Sequence, residues 1–243
     1  MSEPLIDRHV VVTGGAGALG KAVVARLLQA GAVCHVPVRG SAGMPVAADG
    51  DRLRVVTGVE LGDEVAVDRF YDRVPRLWAS VHLAGGFAMA PLDGTGTAEL
   101  EAMWRINLLS CVLCCREAVK AMRRSPRLDA AGEPAAPHAR GWLVNVAARP
   151  ALEPAPGMVA YAAAKAAVAA VTRSLAAELL EEGILVNAVL PSIMDTAANR
   201  AAMPSAEHER WPSPGQVAEA MMALGTPRNQ ITSGALVPVY GRA

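Results

Sequence analysis

The chain has 243 residues, long for a typical domain but within reach of one large α/β sheet. Hydrophobic residues make up 52% and charged residues 19%, which allows a sizeable core and excludes a disordered chain. Lys plus Arg equals Asp plus Glu at 23 each, so the charge gives no reason to expect nucleic acid or an anionic membrane as partner. No apolar stretch is long enough to span a bilayer, and MSEPLIDRH lacks the apolar core of a signal peptide, so a cytoplasmic protein is expected.

Apolar runs alternate with helical patterns from the start. His9 to Thr13 (HVVVT) reads as a short buried strand, followed by a glycine-rich turn and a helix near Ala18 to Ala30. Further strands are expected near Ala32 to Val38, Leu53 to Thr57 and Trp78 to Ala84, then a long helix over Ala98 to Arg124. A strand at Trp142 to Val146 precedes an alanine-rich helix over Pro156 to Glu182 and a strand at Ile184 to Leu190. A helix at Pro214 to Leu224 and a strand at Ala235 to Val239 complete the chain. Fully apolar strands alternating with helices predict a parallel sheet covered on both faces. With right-handed crossovers this is a single-domain, doubly wound sheet of about seven strands spanning residues 1–243. Ser125 to Arg140, rich in Pro and Ala, reads as a mobile surface loop. Residues 195–214 form a long connection beyond the carboxyl end of a strand, where a ligand-covering lid is expected.

The four cysteines are Cys34, Cys111, Cys114 and Cys115, the last three within CVLCC. That crowding does not suit a disulfide framework, and no His is near in sequence to complete a metal site. They are expected to be small buried apolar groups, with no metal bound.

Thr13 to Gly20 reads TGGAGALG, placing Gly14, Gly17 and Gly20 between the first strand and the first helix. Small residues let backbone approach a pyrophosphate, and the helix N-terminus at Ala18 and Leu19 supplies N–H donors and positive dipole. The strand–turn–helix setting makes this a Rossmann-type dinucleotide site. At the end of the second strand, the position where a carboxylate would hold a ribose diol is Val38, followed by Arg39. An Arg there can hold a ribose 2′-phosphate, so NADP(H) is expected in preference to NAD(H).

Tyr161 and Lys165, in YAAAK, are spaced i, i+4 and share one helix face. A phenol has a pKa of about 10, and a neighbouring ammonium lowers it, making Tyr161 usable for proton transfer near neutrality. The chain has only three tyrosines and three lysines (Lys21, Lys120, Lys165), so chance pairing is less frequent here than in an average sequence.

Together, TGGAGALG, AGG at 84–86, Asn107 in RINLL, NVAAR at 145–149, YAAAK and NAVLPS at 187–192 resemble the short-chain dehydrogenase/reductase family along almost the whole chain. The resemblance implies an NAD(P)-dependent oxidoreductase in which Asn107 holds a water in a proton relay through Lys165. It places Ala84, Gly85 and Gly86 against the cofactor, Glu60 and Leu61 at the adenine, and Pro191, Ile193 and Thr196 at the nicotinamide carboxamide. It also implies a homodimer or homotetramer acting on a small-molecule substrate.

The family's catalytic serine position, thirteen residues before the tyrosine, is Ala148 here. Losing one oxyanion donor costs about 10²–10³ in kcat in other enzymes. An ordinary ketone would therefore need Ser192 or a water as substitute donor. The quinonoid dihydropteridine reductase branch of the family also has alanine there, and this chain resembles it in GGAGALG, PGMVAY and LPSIMDTAANRAAMPSAEHERW. That resemblance implies a conjugated, electron-poor acceptor, with Ala148, Met194, Met203 and Trp211 lining the substrate site. Two alternatives stay open: a dinucleotide-binding regulatory or structural protein without turnover, and a 3-oxoacyl thioester or polyketide reductase.

Overall fold

The computed structural model describes residues 5–40, 52–124 and 140–243, so the expected loop at Ser125 to Arg140 lies outside the described residues but for its last member. Seven parallel strands form one sheet: β1 (His9–Thr13), β2 (Val33–Pro37), β3 (Leu53–Val56), β4 (Leu77–His82), β5 (Gly141–Val146), β6 (Ile184–Pro191) and β7 (Leu236–Val239). Their order is β3-β2-β1-β4-β5-β6-β7, so the winding reverses between β1 and β4. Crevices beyond the carboxyl ends at such a reversal are where open α/β sheets bind ligands.

The helices are α1 (Ala18–Gln29), α2 (Glu64–Asp72), α3 (Thr97–Met103), α4 (Ser110–Arg124), α5 (Val159–Leu179), α6 (Ala197–Ala202) and α7 (Pro214–Leu224). Strand alternation divides the core into two layers. Val10 and Val12 of β1 pack with Val23, Leu27, Val217 and Met221 under α1 and α7. Val11 points the other way, into the layer containing Val67, Phe70, Ala118 and Val168 from α2, α4 and α5. Leu185 and Val189 of β6 join the first layer, Val186 and Leu190 the second. Both faces are covered, which is why these strands read as continuous apolar runs.

Three differences from the sequence reading have physical causes. The sequence reading omits α2, because its nine residues are on balance polar and only Val67, Phe70 and Tyr71 are buried; its start is marked by Asp63, whose side chain accepts from the N–H groups of Val65 and Ala66. The short α6 is omitted too, where Thr196 accepts from Asn199 N–H. The expected helix over Ala98 to Arg124 is broken by a π-helical turn at Trp104–Leu109, which divides α3 from α4 and carries Asn107. Such turns are frequent at functional sites.

Gly14 fixes the seam between β1 and β4. Its φ is +66°, and a Cβ there would stand 2.7 Å from the Ala84 nitrogen and 2.8 Å from the Leu83 carbonyl carbon. Strained backbone and a clash with main chain that cannot move aside give Gly14→Ala a cost of about 2–5 kcal/mol. Thermal unfolding should show Tm falling by roughly 5–15 °C; an unchanged Tm would mean that β4 can shift away from the turn.

Candidate active site

The turn after β1 is shaped by what it cannot accommodate. Beside Gly14, a Cβ on Gly20 would collide with the Gly14 oxygen, whereas Gly17 faces open space apart from that oxygen at 3.3 Å. The side-chain hydroxyl of Thr13 accepts from the N–H groups of Leu83 (3.2 Å) and Ala84 (3.3 Å), tying the two strand ends together. Gly17 is the N-cap of α1 and has no side chain to satisfy the first-turn N–H groups. These unsatisfied donors and the helix dipole face the cleft, an arrangement suited to an anion.

A cavity of about 750 Å³ opens on one side of this turn. Arg39, Glu60, Leu61, Ala84 and Gly85, expected at the adenosine end, all line it, as does Arg105. A second cavity of about 340 Å³ continues past Gly14, Gly17 and Gly85 and reaches Asn107, Tyr161, Lys165 and Pro191. Ala18, Leu19, Gly20 and Gly86 line this second cavity. The two share glycine-turn residues, so together they make one elongated cleft across the reversal point.

The reactive end is built around Gly85. A Cβ at that position would lie 2.6 Å from Asn107 Oδ1 and 3.3 Å from Lys165 Nζ, so its absence lets both side chains close in. Asn107 is buried; its Nδ2 donates to the carbonyls of Gly86 (3.0 Å) and Met103 (3.1 Å), and its Oδ1 accepts from Gly86 N–H (3.2 Å). Lys165 is 5% exposed and donates to the Val146 carbonyl at 2.9 Å, with Nζ 6.0 Å from the Tyr161 ring centre. Burial lowers the Lys165 ammonium to about 8, offset in part by the neighbouring Cys111. Burial also raises the Tyr161 phenol to about 12, opposite to the lowering expected from a lysine alone, because desolvation of the phenolate outweighs a cation at this distance.

Residues 8–207 match the short chain dehydrogenase family. The chain belongs to that family. Cis-4-hydroxycyclohexanecarboxylate dehydrogenase of Sinomonas cyclohexanicum is 30% identical over 257 residues, covering 99% of this chain and 98% of its own. A short-chain type dehydrogenase/reductase from Mycobacterium ulcerans has TM-score 0.85 at 23% identity, covering 100% of this chain and 90% of its own. A blue fluorescent protein from a metagenomic library, in complex with NADPH, has TM-score 0.82 at 23% identity, covering 98% of each chain. Both structures bear on the fold. This short chain dehydrogenase is an NAD(P)-dependent oxidoreductase.

Around the dehydrogenase's reactive end, Ala148, Met194, Phe87 and Ser192 line the smaller cavity. Ser192 Oγ donates to the Tyr240 carbonyl at 2.8 Å, so its proton is already engaged. The other expected site residues stand outside the two cavities. Ile193 is 43% exposed, and Ile193, Thr196, Met203 and Trp211 are not among the residues lining either cavity. Trp211 is buried against His208, with ring centres 4.7 Å apart, because the 195–214 segment folds partly onto itself. Within it Asp195 N–H donates to the Pro212 carbonyl (2.9 Å) and the His208 ring is hydrogen-bonded to the Met203 carbonyl (2.7 Å). Apolar character alone could not separate a wall residue from one used to brace the segment.

Phe87, whose ring stands edge-on to Tyr161 at 5.0 Å, was missed in sequence; its place directly after AGG was the available signal. The cysteine reading also needs correction. All four are buried as expected, but Cys111 and Cys115 meet His82 from β4, a ligand type that the fold brings in from 29 positions before Cys111.

The lysine provides a direct check. Burial sets Lys165 at about 8 in the folded chain against 10.5 as its ordinary value. Between these values the unfolded chain keeps a proton that the folded chain has released, so stability rises with pH. Denaturant unfolding should show wild type gaining up to about 3 kcal/mol relative to Lys165→Met between roughly pH 8 and pH 10.5. A difference that does not vary with pH would mean the ammonium is well solvated.

Proposed function

We propose that this dehydrogenase reduces a conjugated, electron-poor acceptor of the quinonoid pterin kind, or an activated carbonyl, using NADPH in preference to NADH. The observation that carries this reading is the convergence of Tyr161, Lys165 and Asn107 on a cleft that begins at an uncapped, glycine-lined helix N-terminus. The residues fit a dinucleotide: Gly17 leaves open space, the first-turn N–H groups of α1 suit a pyrophosphate, and Arg39 suits a ribose 2′-phosphate. When bound, the nicotinamide ring supplies the hydride.

Tyr161 is the proton donor. A phenol held at about 12 keeps its proton throughout the neutral range, as a donor in reduction must. Lys165, anchored by the Val146 carbonyl, stabilises the phenolate left behind and is placed to bond ribose hydroxyls. Asn107, fixed at the π-helical turn, supports proton resupply through Lys165. Pro191, Ile193 and Thr196 are assigned to the nicotinamide side, with Ile193 and Thr196 reached only if the 195–214 segment closes on a bound ligand. In that movement Met203 and Trp211 would join Met194 as substrate wall.

Ala148 occupies the family's serine position and cannot polarise a carbonyl. Ser192 directs its proton to Tyr240, which argues against a simple replacement. An acceptor that is already delocalised needs less polarisation, so these two facts favour it over an ordinary ketone. The exposed Leu100 and Trp104 support a homodimer or homotetramer.

Tyr161→Phe should lower kcat by at least about 10²-fold with cofactor affinity nearly unchanged, measured by cofactor oxidation and by titration. Intact turnover would remove Tyr161 as donor. Arg39→Ala should reduce kcat/KM for NADPH by roughly 10–100-fold and leave NADH nearly unchanged, since a charged hydrogen bond contributes about 1.5–3 kcal/mol. Equal losses with both cofactors would place the 2′-phosphate elsewhere.

A further inference from the structure

Beneath the cleft, between β4, β5 and α4, lies a cluster that the reduction does not use. His82 from β4 and Cys111 and Cys115 from α4 are all buried, and their ligand atoms lie within 4.8 Å of one another. The i, i+4 spacing puts both thiols on one face of α4. Asn145 of β5 presents Oδ1 to all three, 3.5 Å from each Sγ and 2.8 Å from His82 Nδ1. We propose that Cys111 Sγ, Cys115 Sγ, His82 Nδ1 and Asn145 Oδ1 form a four-coordinate structural zinc site.

Edge lengths support the geometry. Zinc bonds of about 2.3 Å to sulfur and about 2.0–2.1 Å to nitrogen or oxygen give tetrahedral S···N and S···O edges of about 3.5 Å. Cys115 Sγ stands 3.4 Å from His82 Nδ1, and both Sγ–Oδ1 distances are 3.5 Å. The edges from Cys111 Sγ to Cys115 Sγ and to His82 Nδ1 lie within 4.8 Å, and the His82–Asn145 pair, a hydrogen bond at 2.8 Å, lengthens by about 0.5 Å when each atom turns its lone pair to the ion.

The surroundings of the ligands fit as well. His82 Nε2 is hydrogen-bonded to Ser80 Oγ at 2.9 Å, with Tyr71 OH at 3.4 Å, which orients the ring so that Nδ1 faces the thiols. Asn145 Nδ2 donates to Thr172 Oγ1 at 2.9 Å, which leaves Oδ1 aimed at the cluster. Two thiolates neutralise a dication in a buried site, and sulfur ligands select a thiophilic ion over Mg²⁺ or Ca²⁺. Ligands on all sides leave no open position, as in structural rather than catalytic sites, and the ion enters as the chain folds. Binding releases the two thiol protons to solvent and involves no redox change.

The test is the metal content of the full-length protein purified from zinc-supplemented medium, with protein grown on cobalt for spectroscopy. About one zinc per chain is expected, and the cobalt protein should show a thiolate-to-metal charge-transfer band in the near ultraviolet. Cys111→Ser and Cys115→Ala should each lose most of the metal and the band. Cys114→Ser should keep both, because its thiol is outside the set. If Cys111→Ser does not fold, Cys115→Ala and His82→Ala carry the same comparison, with circular dichroism confirming their fold. Protein that holds less than about a tenth of an equivalent, and takes up none when refolded with zinc, overturns the proposal. Metal retained in full by folded Cys115→Ala overturns it equally.

Discussion

The close approach of β1 to β4 at the point where the sheet reverses its winding is the constraint on which the site depends. Two residues without side chains make it possible. Gly14 lets the turn backbone press against Leu83 and Ala84, and Gly85, just beyond β4, lets Asn107 and Lys165 each close in on the backbone there. The glycine turn and the Asn107–Lys165 side of the cleft are thus two sides of one seam, joined further by the Thr13 hydroxyl. A side chain at either glycine would separate the parts as well as strain them.

The buried polar groups of the cleft come at some cost to stability. Burying the Lys165 ammonium, which donates to the Val146 carbonyl, disfavours its charged form, and burying a phenol disfavours the phenolate. The packed layers on either side of the sheet, from Val67 and Phe70 to Val217 and Met221, supply the apolar burial that offsets this. The π-helical turn serves the same end: it presents Asn107 to the Gly86 backbone without ending the helix that continues into α4.

What was legible in the sequence follows from the range of the interactions involved. The seven strands could be read because both faces are apolar, and the glycine turn and the Tyr161–Lys165 pair because their chemistry is local in sequence. Arg39, Glu60 and Leu61, read from separate stretches of the sequence, line one cavity together. The π-helical turn was not legible, since RINLL has ordinary helical spacing. Nor was the commitment of Ser192 to Tyr240, 48 positions away, or the meeting of Cys111 and Cys115 with His82, since each depends on tertiary contact. The packing of Trp211 on His208 was not legible either, because a buried aromatic reads the same in sequence whether it packs on substrate or on a neighbouring histidine.

Ala148 carries no hydroxyl and Ser192 in the same cavity is engaged with Tyr240, and the proposed acceptor is accordingly one that is already electron-poor. The most direct measurement is NADPH oxidation, followed by absorbance, with a quinonoid dihydropterin and with simple ketones under the same conditions. The account predicts kcat/KM for the pterin at least about 10²-fold above any unactivated ketone, the scale of one missing oxyanion donor. Ketone turnover equal to or faster than pterin turnover would contradict it, and would mean that another group polarises the carbonyl.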